Sequence, residues 1–114
     1  MIPLQEINFH TDKKVFYKVD IIKLAGSSSF SVEVNIYDSE FQPPFHSLVS
    51  FHQFQDAKAA FGHALSWINA HASKHGYAVK KINNPCNCEF LGKDEQQTEV
   101  TNAGLSVQVQ VNGA

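Results

Sequence analysis

Between residues 15 and 76 the spacing of apolar side chains changes from every second residue to every third or fourth, and the change falls at Asp56. A chain with that break must combine sheet and helix, because the two periods bury different sets of side chains. Before the break, Val15, Tyr17, Val19 and Ile21 share one face of a strand while Phe16, Ile22 and Leu24 share the other, the pattern of a central strand. After the small residues Gly26 to Ser29, Phe30, Val32, Val34 and Ile36 alternate with Ser31, Glu33 and Asn35, which predicts a half-buried strand paired to the first through a hairpin. Pro43 and Pro44 stiffen the next turn. The alternation resumes over Phe45 to Gln53, with Phe45, Val49 and Phe51 inward and His46, Leu48 and His52 on the other side.

From Asp56, a suitable N-cap, the residues Ala57, Phe61, Ala64, Leu65, Ile68 and Ala72 fall on one helical stripe. Gly76 sits where a left-handed C′ residue belongs, and Lys74 and His75 occupy the last turn, where cations suit the helix dipole. This helix is expected to lie across the apolar face of the preceding strands. Beyond it, Tyr77 to Ile82, Cys86 to Leu91, Thr98 to Thr101 and Leu105 to Val111 read as further strands, the last two joined by a turn at Asn102 to Gly104. Segments 1–12 and 93–104 read as loop-like. The expected fold class is α+β, a mainly antiparallel sheet with three N-terminal strands, one covering helix at 56–75 and further strands C-terminal, all within a single domain spanning 1–114. That element order resembles WGR-like and double-stranded-RNA-binding-like modules. Their signatures are missing, however: Asn35-Ile36-Tyr37-Asp38 stands where a WGR tripeptide would, and Asp56-Ala57-Lys58 replaces a basic helix start, so the residues assign no family.

Charge narrows the partners. All nine basic residues are lysine and the formal charge is −2. Without arginine the chain lacks the planar fork that binds phosphates and guanine edges bidentately, which disfavours nucleic acid. A nucleic-acid-binding module would have to use Lys13, Lys14, Lys18, Lys23, Lys80 and Lys81 with Phe16 and Tyr77 as stacking groups. Nowhere does an apolar run approach the ~18 residues that span a bilayer, and Met1 to His10 lacks the charged and apolar regions of a secretory signal. Two cysteines one residue apart do not make a disulfide framework. A soluble, cytoplasmic protein of bacterial character, without a membrane partner, is the expectation.

Two groups of residues carry potential chemistry. His71 and His75 are one helical turn apart, and Cys86 and Cys88 follow in the next connection, a set that would suit a tetrahedral two-His, two-Cys zinc site; zinc is the one cofactor these residues suggest. One residue between the cysteines is shorter than the usual knuckle spacing. Cys86 or Cys88 near His71 or His75 could instead pair as a cysteine nucleophile with a histidine base, but no third orienting group or oxyanion hole accompanies them. The second group, Tyr37, His46, His52 and Phe54, would form an aromatic and imidazole surface for a protein partner or a planar ligand. His46 and His52 stand roughly 20 Å apart if extended, too far to share an ion. With no phosphate loop or paired carboxylates, the expected function is a non-enzymatic binding module, an adaptor, inhibitor or immunity-type protein acting on a protein partner. Leu105 to Val111 offers an edge for homodimerisation.

Overall fold

The computed structural model describes residues 3–23, 26, 29–38, 46–49, 53–84 and 91–111. Strands β1 (Pro3–Thr11), β2 (Phe16–Lys23), β3 (Phe30–Tyr37) and β4 (His46–Val49) precede helix α1 (Ala57–His75), and β5 (Val79–Asn84), helix α2 (Lys93–Asn102) and β6 (Val109–Val111) follow. The strands form one sheet in the order β4-β3-β2-β1-β5-β6. The four strands before α1 are a meander of antiparallel neighbours, and β5 adds to the free side of β1, also antiparallel. The β5–β6 pair is parallel, because α2 lies between them and returns the chain to the same end. The sheet is therefore mixed, which corrects the expectation of a mainly antiparallel one.

The three strands read between residues 15 and 53 are present as β2, β3 and β4, and the covering helix follows them. Asp56 caps it as expected, its carboxylate accepting from the Ala59 amide at 2.7 Å. Gly76 ends it at φ 72°, and the Tyr77 amide donates to the Ala72 carbonyl at 2.8 Å. Ala57, Ala60, Phe61, Ala64, Leu65, Ile68 and Ala72 are buried over β2 and β3. Four of these seven are alanines, which let the helix axis approach the sheet while Phe61 reaches Phe9 of β1 at a ring separation of 6.1 Å.

Two segments read as loop-like are ordered elements. Residues 3–11 are strand β1, and 93–102 are helix α2, where the sequence pattern predicts a strand over Thr98 to Thr101. The inward face of β1 carries Gln5, Ile7, Phe9 and Thr11, so polar residues at both ends disguise its alternation. Helix α2 buries only Gln96 and Val100, too little for an apolar stripe. Its start is nonetheless written locally: Gly92 precedes Asp94 and Glu95 in the first turn, and the Glu95 carboxylate accepts from the Gly92 amide at 3.4 Å. Of Leu105 to Val111, only Val109–Val111 is strand.

Three buried amide side chains join these late elements to β1. Gln5 donates to Asn84 Oδ1 at 2.9 Å and to the Leu91 carbonyl at 3.1 Å, and its own oxygen accepts from the Leu91 amide at 2.9 Å. Asn84 then donates to Gln96 Oε1 at 2.9 Å, and Gln96 donates to the Leu91 carbonyl at 2.7 Å. All three residues are at most 3% exposed. Each amide leaves its neighbour unpaired if removed, so replacing Asn84 by leucine is expected to destabilise the fold by about 2 kcal/mol or more. Urea denaturation of Asn84→Leu against the parent measures it; a change under ~0.5 kcal/mol would mean the network contributes little.

Candidate functional site

Both helices pack on one face of the sheet, and among the described residues no element covers the other. Register fixes what that open face presents. Across β1, β2 and β3, His10 pairs with Phe16 and Phe16 with Tyr37; Asn8 pairs with Lys18 and Lys18 with Asn35; Glu6 pairs with Asp20 and Asp20 with Glu33. On β5, Lys81 stands opposite His10 and Asn83 opposite Asn8. The result is three parallel rows of side chains: aromatic, amide with lysine, and carboxylate.

The aromatic row is a ring stack. His10 lies 5.3 Å from Phe16, and Phe16 lies 5.1 Å from Tyr37 with the planes 12° apart. Beside it runs a cleft of about 400 Å³ lined by Glu6, Asn8, His10, Phe16, Lys18, Tyr37 and Asn83. Glu6 is held there twice, by Lys18 Nζ at 3.3 Å and by Asn8 Nδ2 at 3.2 Å. The oxygens Asn8 Oδ1 and Asn83 Oδ1 are buried without a hydrogen-bond partner, which elsewhere in proteins is uncommon and costly.

Electrostatics on this face are set by the carboxylate row. Burial, reinforced by Glu6 and Glu33 on the flanking strands, holds Asp20 above its ordinary value, and Lys18 only partly opposes this. Burial works to lower the Lys18 ammonium, but Glu6 and Asp20 together outweigh it and hold Lys18 above its ordinary value.

The sequence-expected sites fare differently. His71 and His75 do meet, with ring centres 4.4 Å apart on the helix-covered side of the molecule. His71 stacks on Trp67, His75 stacks on Tyr77, and the hydroxyl of buried Tyr17 bonds His71 Nδ1 at 2.8 Å. Burial, with a contribution from Tyr77, pushes the Tyr17 hydroxyl up to about 12, so it keeps its proton at neutral pH and can donate to that nitrogen. Cys86 and Cys88 lie outside the described residues. Their flanks, Asn84 and Leu91, are both bonded to Gln5, and Asn84 closes the end of β5 remote from Tyr77 and the histidines. Among the described residues no group of three or more histidine, cysteine or acidic side chains is placed to hold a metal ion.

Two members of the second expected group, Tyr37 and Phe54, lie at opposite ends of β3. Tyr37 is on the open face at one end of β3, whereas Phe54 bridges Phe30 at the other end and packs against the core beside His63. His46 pairs with Ile36 in β4, and His52 lies outside the described residues. His10, Asn8 and Asn83 escaped sequence reasoning, and Phe16 entered it only as a stacking group for nucleic acid, because alternation says which residues face together but leaves open which strands adjoin. Two backbone groups of the Leu105 to Val111 segment are engaged within the chain. Gln97 of α2 accepts from the Val109 amide at 2.9 Å and donates to the Val107 carbonyl at 3.1 Å, so these backbone groups already have a partner. No described helix is long and apolar enough to cross a membrane.

Comparison with protein-family models, curated proteins and solved structures finds no match to this chain.

The carboxylate row yields a signed expectation. An acid whose folded pKa is raised penalises the native state once ionised, and the penalty fades as pH falls through the raised pKa toward the unfolded value of 3.8. Asp20→Asn is therefore expected to stabilise the fold at pH 7, on the order of 0.5 kcal/mol, with the gain shrinking as pH approaches 4. Thermal melts of both proteins across that range check it, and a destabilised variant at pH 7 would show that the Lys18 interaction dominates.

Proposed function

We propose that this protein is a non-enzymatic binding module that engages a protein partner through the open face of its sheet. The observation that supports this most is the cleft beside the His10–Phe16–Tyr37 stack, where two carboxamide oxygens lack partners on a face that no described element covers. Stacked rings give a stiff wall that loses little entropy on binding, and the amide and charged rows give directional contacts around it. Such a surface serves an adaptor, an inhibitor or an immunity-type protein equally well, since each acts by occupying its partner. The cytoplasm is the compartment that the cysteine usage favours.

The test is a comparison of faces. Affinity capture from the native host with the parent protein defines a partner, and the Phe16→Ala/Tyr37→Ala variant is expected to lower its retention at least about tenfold. Ser66→Glu/Lys74→Glu, at exposed positions of α1, is expected to leave it unchanged. The reverse pattern would place the binding surface on the helices and overturn the proposal.

A zinc site is a second reading, supported by the approach of the His71 and His75 rings. It draws its remaining ligands from Cys86 and Cys88. Protein purified without a histidine tag should then hold about one zinc per chain, and chelation should lower its melting temperature. Metal-free protein with an unchanged melt after added zinc would dismiss it.

A further inference from the structure

We propose that the open-face cleft receives an arginine side chain of the protein partner, its guanidinium bonding the oxygens of Asn8 and Asn83 beside the Glu6 carboxylate. This rests on the reading of the open face as the binding surface and adds the chemistry of what it takes. Both unpartnered groups in the cleft are acceptors, so the missing complement is a donor with more than one N–H. Asn8 and Asn83 are directly paired across β1 and β5, which sets their side chains side by side, about 5 Å between Cβ atoms. A forked, planar donor spans such a pair better than a single ammonium. The carboxamide torsion of asparagine is broad, so the Asn83 oxygen can turn toward the cleft mouth without moving the backbone, while Asn8 turns by exchanging its bond to Glu6 for one to the guanidinium.

Charge points the same way. The face carries Glu6, Asp20 and Glu33 in one row against Lys18 and Lys81, and the Lys18 charge is already spent on Glu6 at 3.3 Å. That leaves two carboxylates, Asp20 and Glu33, on adjoining strands, against Lys81, which stands two residues from Asn83 on β5. Neither acid lines the cleft, whose own carboxylate, Glu6, is paired with Lys18, so the row attracts an arriving cation from a distance while Glu6 is the acid it meets. His10, Phe16 and Tyr37 line the same cleft and give the aliphatic part of the side chain an apolar wall.

The probe is the peptide acetyl-Gly-Arg-Gly-amide, titrated into the intact isotope-labelled protein while the side-chain amide resonances of Asn8 and Asn83 are followed by NMR. Saturable shifts of both are expected. The citrulline peptide, which keeps the shape and most donors but loses the charge, is expected to bind at least about threefold more weakly, and a lysine peptide likewise. Asn83→Asp, which adds an acceptor charge, is expected to tighten the arginine peptide about threefold, and Asn8→Leu/Asn83→Leu to weaken it about tenfold, both with native backbone spectra. Equal binding of arginine and citrulline peptides, shifts confined to other residues, or no saturable shift would each overturn the assignment. These outcomes are separate from the face comparison above: partner capture lost in Phe16→Ala/Tyr37→Ala but no arginine response would leave the open face as the surface and remove only the guanidinium.

Discussion

Gln5, Asn84 and Gln96 form a closed set of buried amides on which the outer half of the sheet depends. Hydrophobic burial alone would attach β5 to β1 through Ile82 and Phe9, but it would not fix where the chain goes after β5. The amides do that, because each has one geometry in which its donors and acceptor are all used. Gln5 bonds both the amide and the carbonyl of Leu91, so the chain re-enters the core at a defined point, and Gln96 accepts from Asn84 to seat α2. A partly satisfied network of this kind is worse than an apolar one, which makes it a device of specificity as much as of stability. The parallel β6 follows from it, since α2 must first be docked for β6 to lie beside β5.

The same geometry separates two kinds of surface. With α1 and α2 on one side, every outward residue of β1, β2 and β3 is left on the other, and cross-strand register sorts them into rows. At the edge strand β6, Gln97 engages the Val109 amide, whereas the open face keeps unpaired acceptors and close carboxylates. A fold that satisfies its buried amides on one face and leaves two unsatisfied on the other is spending stability at one place, a pattern associated with binding sites. The histidine pair on α1 belongs to a different region, where Tyr17, Trp67 and Tyr77 pack the rings together.

Legibility of the fold followed the locality of the signal. Helix α1 was readable to the residue, since its stripe, the Asp56 cap and the Gly76 stop all lie within the segment they define. Strands β2 and β3 were readable for the same reason. Strand β1 was hidden because Gln5 and Thr11 occupy its buried face. Thr11 is satisfied nearby, its hydroxyl donating to the Val15 carbonyl at 2.6 Å, but Gln5 has partners 79 and 86 residues away. Helix α2 was misread as strand because a 10-residue helix with one buried valine is held by polar bonds rather than an apolar stripe. Of the candidate residues, Tyr37 belongs to the cleft and His71 meets His75, while Phe54 is drawn into the core edge by its bridge to Phe30.

Sequence alone determined the α+β class, the position of the covering helix and the inward residues of β2 and β3, because apolar period and capping are properties of a few consecutive residues. Tertiary structure decided the sheet order, the parallel β5–β6 pair and the three rows of the open face. Those depend on which strands adjoin and in what register, and here the amide bonds that settle it join residues as far as 86 positions apart.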